Sequence, residues 1–147
     1  MDPERDAFLS RIAEEPDDDT VRLVFADWLE EQGDEPRARF IRLQVEAARL
    51  SSGFGRAAEL VACAAALFRS AWLLDELPAL AERVERTTSG ASPMVIVRLR
   101  AGREVPLRVR WRRGFADTVE HELSLSAVAR AELRRLMPSH VALVPAS

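Results

Sequence analysis

The sequence has 147 residues, 48% apolar and 31% charged, with a net charge of −3 and a pI near 5.5. That length supports one domain with a real core, or two small subdomains. A single cysteine excludes an internal disulfide and a cysteine-based zinc cluster. The longest apolar run, Leu60–Phe68, is far shorter than a membrane span, and the opening residues carry no signal-peptide pattern, so the expected location is the cytoplasm.

The charge is unevenly spread. Residues 1–50 hold 14 acids against 7 arginines, whereas residues 93–147 hold 10 arginines against 5 acids. All 21 basic residues are arginine. The planar guanidinium grips carboxylates in two-pronged pairs, so oppositely charged halves point to fixed ion pairs within the chain or between copies of it.

Asp2-Pro3-Glu4 starts a helix whose short stripe is Phe8, Leu9 and Ile12, and Glu15-Pro16 ends it. Asp17-Asp18-Asp19-Thr20 reads as a loop and N-cap run; it lacks the alternation and closing glutamate of a calcium loop. Val21, Val24, Phe25, Trp28 and Leu29 then trace the apolar face of a second helix. Gly33 is placed to end it, and Asp34 with Pro36 to begin a third at once. That third helix carries Ala38, Ile41, Val45 and Ala48 on one row and Phe40, Leu43, Ala47 and Leu50 on another. Asp27 lies within reach of Arg39 or Arg42 across the pair, a structural ion pair in expectation; no base, nucleophile or metal ligand accompanies it.

The run Phe25-Ala26-Asp27-Trp28-Leu29-Glu30-Glu31, followed by Gly33-Asp34, Pro36-Arg37 and Phe40-Ile41-Arg42-Leu43-Gln44, resembles the signature of the repeat-companion domain. That family occurs in planctomycete and myxobacterial genomes, often beside leucine-rich-type repeats. Glu35 is an insertion relative to the family pattern, and Arg39 stands where an acid is usual. The resemblance implies an interaction or scaffold module and brings no catalytic residue with it.

Residues 51–55 read as a loop; Ser52-Gly53-Phe54-Gly55-Arg56 follows a helix and lacks the lysine of a phosphate-binding loop. One long helix is expected from Arg56 to Leu77, with Cys63 buried in it, and a short one over Ala79–Arg86. Residues 87–93 have the composition of a linker, which divides the chain into a helical subdomain at 1–86 and a β-rich one at 94–147.

Beyond that point the period becomes two. Residues 94–100 and 105–112 read as a hairpin with Val95, Val97, Leu99, Val105, Leu107, Val109 and Trp111 on its apolar face. Arg98, Arg100, Arg108, Arg110 and Arg112 occupy the other. A third strand is expected over Phe115–Leu123, a helix over Ser126–Met137 through Val128, Leu133 and Leu136, and a last strand or repeat stub at His140–Val144. Residues 111–119 resemble the segment that often follows the companion motif.

The fold class read from this pattern is α+β: a bundle of about four helices, a small antiparallel sheet and a terminal helix. Five like charges on one sheet face need anionic counterparts. Glu104, Glu120, Glu122 and the acidic N-terminal half supply them in one reading, and an acidic protein partner or a second copy in another. Nucleic-acid phosphates are the alternative, with Arg37, Arg39, Arg42 and Gln44 as base readers in a helix-turn-helix version. The acidic pI and the lack of interleaved aromatics argue against it. His121 and His140 have no ligand spacing to each other or to Cys63. The sequence therefore reads as a non-catalytic protein-interaction or scaffold module with no cofactor and no metal, contacting an acidic partner through the arginine face or through an exposed part of the Trp28–Gln44 helical hairpin; an enzyme is the third-ranked reading.

Overall fold

The computed structural model describes residues 2–50, 55–69, 71–88 and 94–147, the side chains of Leu73 and Leu74 excepted. The chain forms two compact units, residues 1–68 with Arg112–Phe115, and Arg69–Trp111 with Ala116–Ser147. The class is α+β, as expected.

The first unit is built from α1 (Pro3–Glu14), α2 (Asp19–Glu31), α3 (Glu35–Arg49) and α4 (Arg56–Leu67). Local chemistry sets the boundaries. The Asp2 carboxylate accepts from the Glu4 and Arg5 amides at 3.0 and 3.4 Å, and that of Asp18 from Thr20 at 2.9 Å. At the end of α2, Gly33 has φ +89°, its N–H donates to the Glu30 carbonyl, and the Asp34 N–H reaches back to Leu29 at 2.8 Å. These paired bonds close the helix with a left-handed glycine. Asp34 then caps α3 by accepting from the Arg37 N–H at 3.4 Å.

Ile12, Phe25, Ala26, Leu29, Ala38, Ile41, Val45 and Phe115 form the core of this unit. The buried face of α2 is rotated from the expected stripe: Arg22, Phe25, Ala26 and Leu29 are buried, while Val24 is 50% exposed. Trp28 is half-buried, stacked on Phe25 at 5.8 Å, with its indole N–H donating to Glu4 at 3.1 Å. The helix expected over 56–77 stops at Leu67. Phe68 takes extended dihedrals and turns its buried ring to Phe40 at 6.5 Å, and two short helices follow, α5 (Trp72–Glu76) and α6 (Pro78–Ala81). Cys63 is exposed rather than buried, because α4 turns Ala57, Leu60 and Ala64 inward. The loop expected at 51–54 lies outside the described residues.

The second unit holds α5, α6, β1 (Val84–Thr87), β2 (Met94–Arg98), most of β3 (Glu104–Arg112) and β4 (Phe115–His121), α7 (Ala127–Arg135) and β5 (Ala142–Pro145). The sheet order is β1-β2-β3-β4-β5. Val84–Thr87 is a strand and not the end of a helix: it pairs antiparallel with β2, Thr87 opposite Val95. Thr87 and Thr88 therefore belong to a strand connection, with the Met94 N–H on the Thr88 hydroxyl at 2.9 Å; the rest of the expected joint, 89–93, lies outside the described residues. The division into units falls at Phe68/Arg69, which differs from the boundary expected at 87–93. The sheet is mixed, since β5 runs parallel to β4 with Thr118 opposite Ala142.

The expected alternation holds in β2 and β3. Val95, Val97, Leu99, Val105, Leu107 and Val109 are buried beneath Leu77, Leu80, Ala129, Leu133 and Met137. Ser126 caps α7, accepting from Ala129 at 3.2 Å. Val128 is not in the core; it is 80% exposed, and Ala129 and Leu133 are the residues α7 buries. Arg134 closes the helix end by donating to the carbonyls of Val141 at 2.6 Å, Met137 and Pro138. No helix of the described residues is long and apolar enough to cross a membrane.

The first unit is completed by a turn from far along the chain. Arg113 and Gly114 both have positive φ, 52° and 88°, the two-residue turn that matches the twist of adjoining antiparallel strands. The Gly114 N–H donates to the Gln44 side chain at 2.8 Å, and a Cβ at Gly114 would lie 2.8 Å from the Ile41 Cα. Arg113 donates to the Asp17 carbonyl and to Asp19 Oδ1, both at 3.0 Å. Phe115 sits 6.0 Å from Phe25, with the guanidinium groups of Arg22 and Arg37 each 5.4 Å from its ring centre. Arg37, Ile41 and Gln44 of the motif thus form the seat of this turn.

Two outcomes follow. Gly114→Ala combines a strained left-handed backbone with a backbone clash, and urea unfolding is expected to show a loss of about 2 kcal/mol or more. Thr20's amide holds the Asp18 carboxyl below its ordinary value of 3.8. A depressed folded-state value adds stability above the unfolded pKa and loses it as pH falls through the folded one. The gap in Tm between the native chain and Asp18→Ala should therefore be widest near neutral pH and narrow as pH falls below the ordinary carboxylate value and through the lowered folded-state one.

Candidate functional site

Each of the five arginines expected on one face occupies its own setting. Arg98, at the end of β2, donates through Nε to Glu85 at 2.9 Å and through Nη2 to Glu104 at 3.2 Å. Glu104 also takes Arg86 at 3.3 Å. On β3, Arg110 Nε lies 2.7 Å from Glu120 Oε1 and Arg108 Nη1 lies 3.8 Å from Glu120 Oε2. Arg100 falls outside the strand, in the β2–β3 turn, where its backbone N–H donates to Glu132 at 2.8 Å. Arg112 belongs to the first unit, paired with Asp17 at 3.1 Å.

The expected suppliers of negative charge are therefore in use: Glu104, Glu120 and Asp17 as above, and Glu122 on Arg103 at 2.5 Å. Glu120 differs from the rest. Its side chain is only 9% exposed, whereas those of Arg108 and Arg110 are about half exposed. A carboxylate withdrawn from water needs a counter-charge close by, and Arg110 supplies it. Arg108 is held only at the outer limit of ion pairing, at a site where such pairs contribute little.

The residues of the 25–44 run make contacts within the first unit. Arg42 bridges Asp27 Oδ1 at 2.6 Å and Glu30 Oε2 at 2.7 Å, and these two bonds, Glu30's first, raise its pKa. Asp27 is exposed, and Arg39 is exposed on α3. Phe25, Ile41 and partly buried Trp28 belong to the core of the first unit, and Phe40 is buried on α3. Gly33 and Asp34 make the α2–α3 turn, and Arg37 and Gln44 the seat of Gly114.

His121 is buried on β4, with Nδ1 2.7 Å from the Glu122 carbonyl, and His140 is exposed. Among the described residues no three His, Cys, Asp or Glu side chains are placed to hold a metal.

No family model, curated protein or solved structure matches this chain.

Arg22 and Arg134 escaped the sequence reading. Arg22 is 4% exposed on the buried face of α2; burial lowers its pKa, Asp19 opposes this, and Arg113 and Arg112 add to it. Its one sequence signal is its place one turn before Phe25 and Ala26, a position usually read as a polar interruption.

The two β3 arginines should separate in mutants. Arg110→Gln leaves Glu120 buried without its close counter-charge and is expected to cost about 1–3 kcal/mol in urea unfolding, while Arg108→Gln should cost less than about 0.5 kcal/mol.

Proposed function

We propose that this chain is a non-catalytic protein-interaction or adaptor module that contacts an acidic partner surface through Arg108 and Arg110. The observation that carries this reading is their imbalance with Glu120. Two half-exposed guanidinium groups share one carboxylate, so the pair retains a positive charge and unused donors facing water. The neighbouring set of Arg86 and Arg98 is balanced by Glu85 and Glu104 and offers less.

The resemblance of residues 25–44 to the repeat-companion domain supports the same class of function. In this reading that motif builds a platform. Its arginine and glutamine hold a turn, and its aspartate is tied to Arg42. The module works in the cytoplasm in this proposal, a reducing setting that suits a lone exposed thiol at Cys63.

The runner-up, a nucleic-acid-associated regulator using the same arginines, is weakened by the carboxylates already set among them and by the acidic pI.

Cross-linked capture from native lysate tests the proposal. An acidic protein should be recovered by the native chain and strongly depleted with Arg108→Glu, whose urea unfolding is measured alongside because the new carboxylate faces the buried Glu120. Recovery unchanged by Arg108→Glu would remove β3 as the contact. A parallel titration with duplex DNA should show no complex near physiological salt; tight binding with a steep salt slope would favour the runner-up.

A further inference from the structure

Four residues at the β3–β4 tip, Arg112–Phe115, complete the first unit, although the strands that carry them run through the second. Their seat is built from residues 17–44. The Gly114 N–H donates to Gln44 at 2.8 Å, Arg113 Nη1 lies 3.0 Å from both the Asp17 carbonyl and Asp19 Oδ1, and Arg112 pairs with Asp17 at 3.1 Å. In each of these contacts the tip brings the donor and the seat the acceptor. Phe115, buried, packs beside Phe25 under the guanidinium groups of Arg22 and Arg37.

The seat is selective for this turn. A Cβ on Gly114 would lie 2.8 Å from the Ile41 Cα, so glycine alone fits there, and positive φ at both Arg113 and Gly114 fixes the directions in which the arginine and Phe115 leave the turn. Its hydrogen-bonding partners are 70 to 96 residues away along the chain, so no contact relies on the covalent link. Apart from the tip, the backbone passes between the units only at Phe68/Arg69, and Arg69 is exposed. A second copy of the chain carries the same turn on the same two strands and meets the seat's requirements equally.

We infer that the seat accepts the Arg112–Phe115 turn of a second copy as well as its own, giving a dimer in which each chain completes the other's helical unit. Reciprocal exchange about a twofold axis leaves no seat empty and no tip unused, so assembly closes at the dimer. The seat contacts of the monomer are remade in the dimer, and concentration sets the balance between the two. The tip reaches its own seat at an effective concentration on the order of millimolar. Exchange therefore gains where chains fold crowded together, while their seats are still open. It persists on dilution because leaving the seat breaks the Gln44 bond, the arginine pairs and the ring packing together. The exchange uses neither Arg108 nor Arg110, so it stands independently of the contact proposed on β3.

The test refolds full chains from urea. Light scattering of the native chain should show a species of doubled mass whose share grows with protein concentration during refolding and survives dilution. Two marked chains, Cys63→Ser/Asp17→Cys and Cys63→Ser/Arg112→Cys, are then refolded together and treated with a short bis-maleimide. Each holds one thiol, at the exposed Asp17–Arg112 pair, so a link between the two chains joins one copy's seat to the other's tip. That link should be several-fold stronger after refolding together than after mixing chains refolded apart. Gly114→Ala in the Arg112→Cys chain should remove it; if that chain does not fold, the comparison of chains refolded together and apart carries the test. The inference is overturned by monomer mass at every refolding concentration, or by a dimer that yields no link. Equal linking in chains refolded apart also overturns it, and assigns the dimer to an outer surface.

Discussion

The helical unit depends on a hydrogen bond and a missing side chain. The Gln44 amide accepts from the Gly114 N–H, and the absence of a Cβ on Gly114 lets the turn lie against the Ile41 backbone. Everything around this contact is arranged to hold it. Arg113 adopts a left-handed conformation that few side chains tolerate, compensated by its bonds to Asp17 and Asp19. Phe115, carried next to it, enters the aromatic group of Phe25, Trp28 and Phe8. The acidic run before α2, read from sequence as a loop and cap, thereby acquires a second task as the acceptor for arginines ninety-odd residues away.

Much of the fold was legible because its signals are local. The α2–α3 turn follows from Gly33 and Asp34, whose backbone and side-chain preferences act within a few residues. The strands β2 and β3 alternate over enough residues for the period of two to be unmistakable. Val84–Thr87 was missed for the opposite reason. Four residues after an Ala-Glu-Arg run fit a helix as well as a strand, and only pairing with β2 decides between them. The end of α4 was missed because its alanine-rich stretch has no breaker, and the turn of Phe68 toward Phe40 is a tertiary choice.

The candidate surface was legible in its charges but not in their distribution. Arginines at alternate positions were visible, and so were the glutamates that meet them. Their sharing was not: that Glu120 serves two arginines while Glu104 and Glu85 balance another pair depends on cross-strand register. Arg22 was invisible for a related reason. A long polar side chain can be buried when its guanidinium finds a carbonyl, here that of Asp18 at 3.2 Å, and a ring face.

The chain enters its helical unit twice, at residues 1–68 and again at Arg112–Phe115. A single stop codon after Phe68 therefore yields an incomplete body: Phe25 would border a void the size of a phenyl ring, and Gln44 would face water in place of its amide donor. During synthesis the four helices have to wait for a residue far downstream before their interior closes. That puts a high-separation contact at the last stage of assembling what looks, by length and helix content, like a fast and local folder.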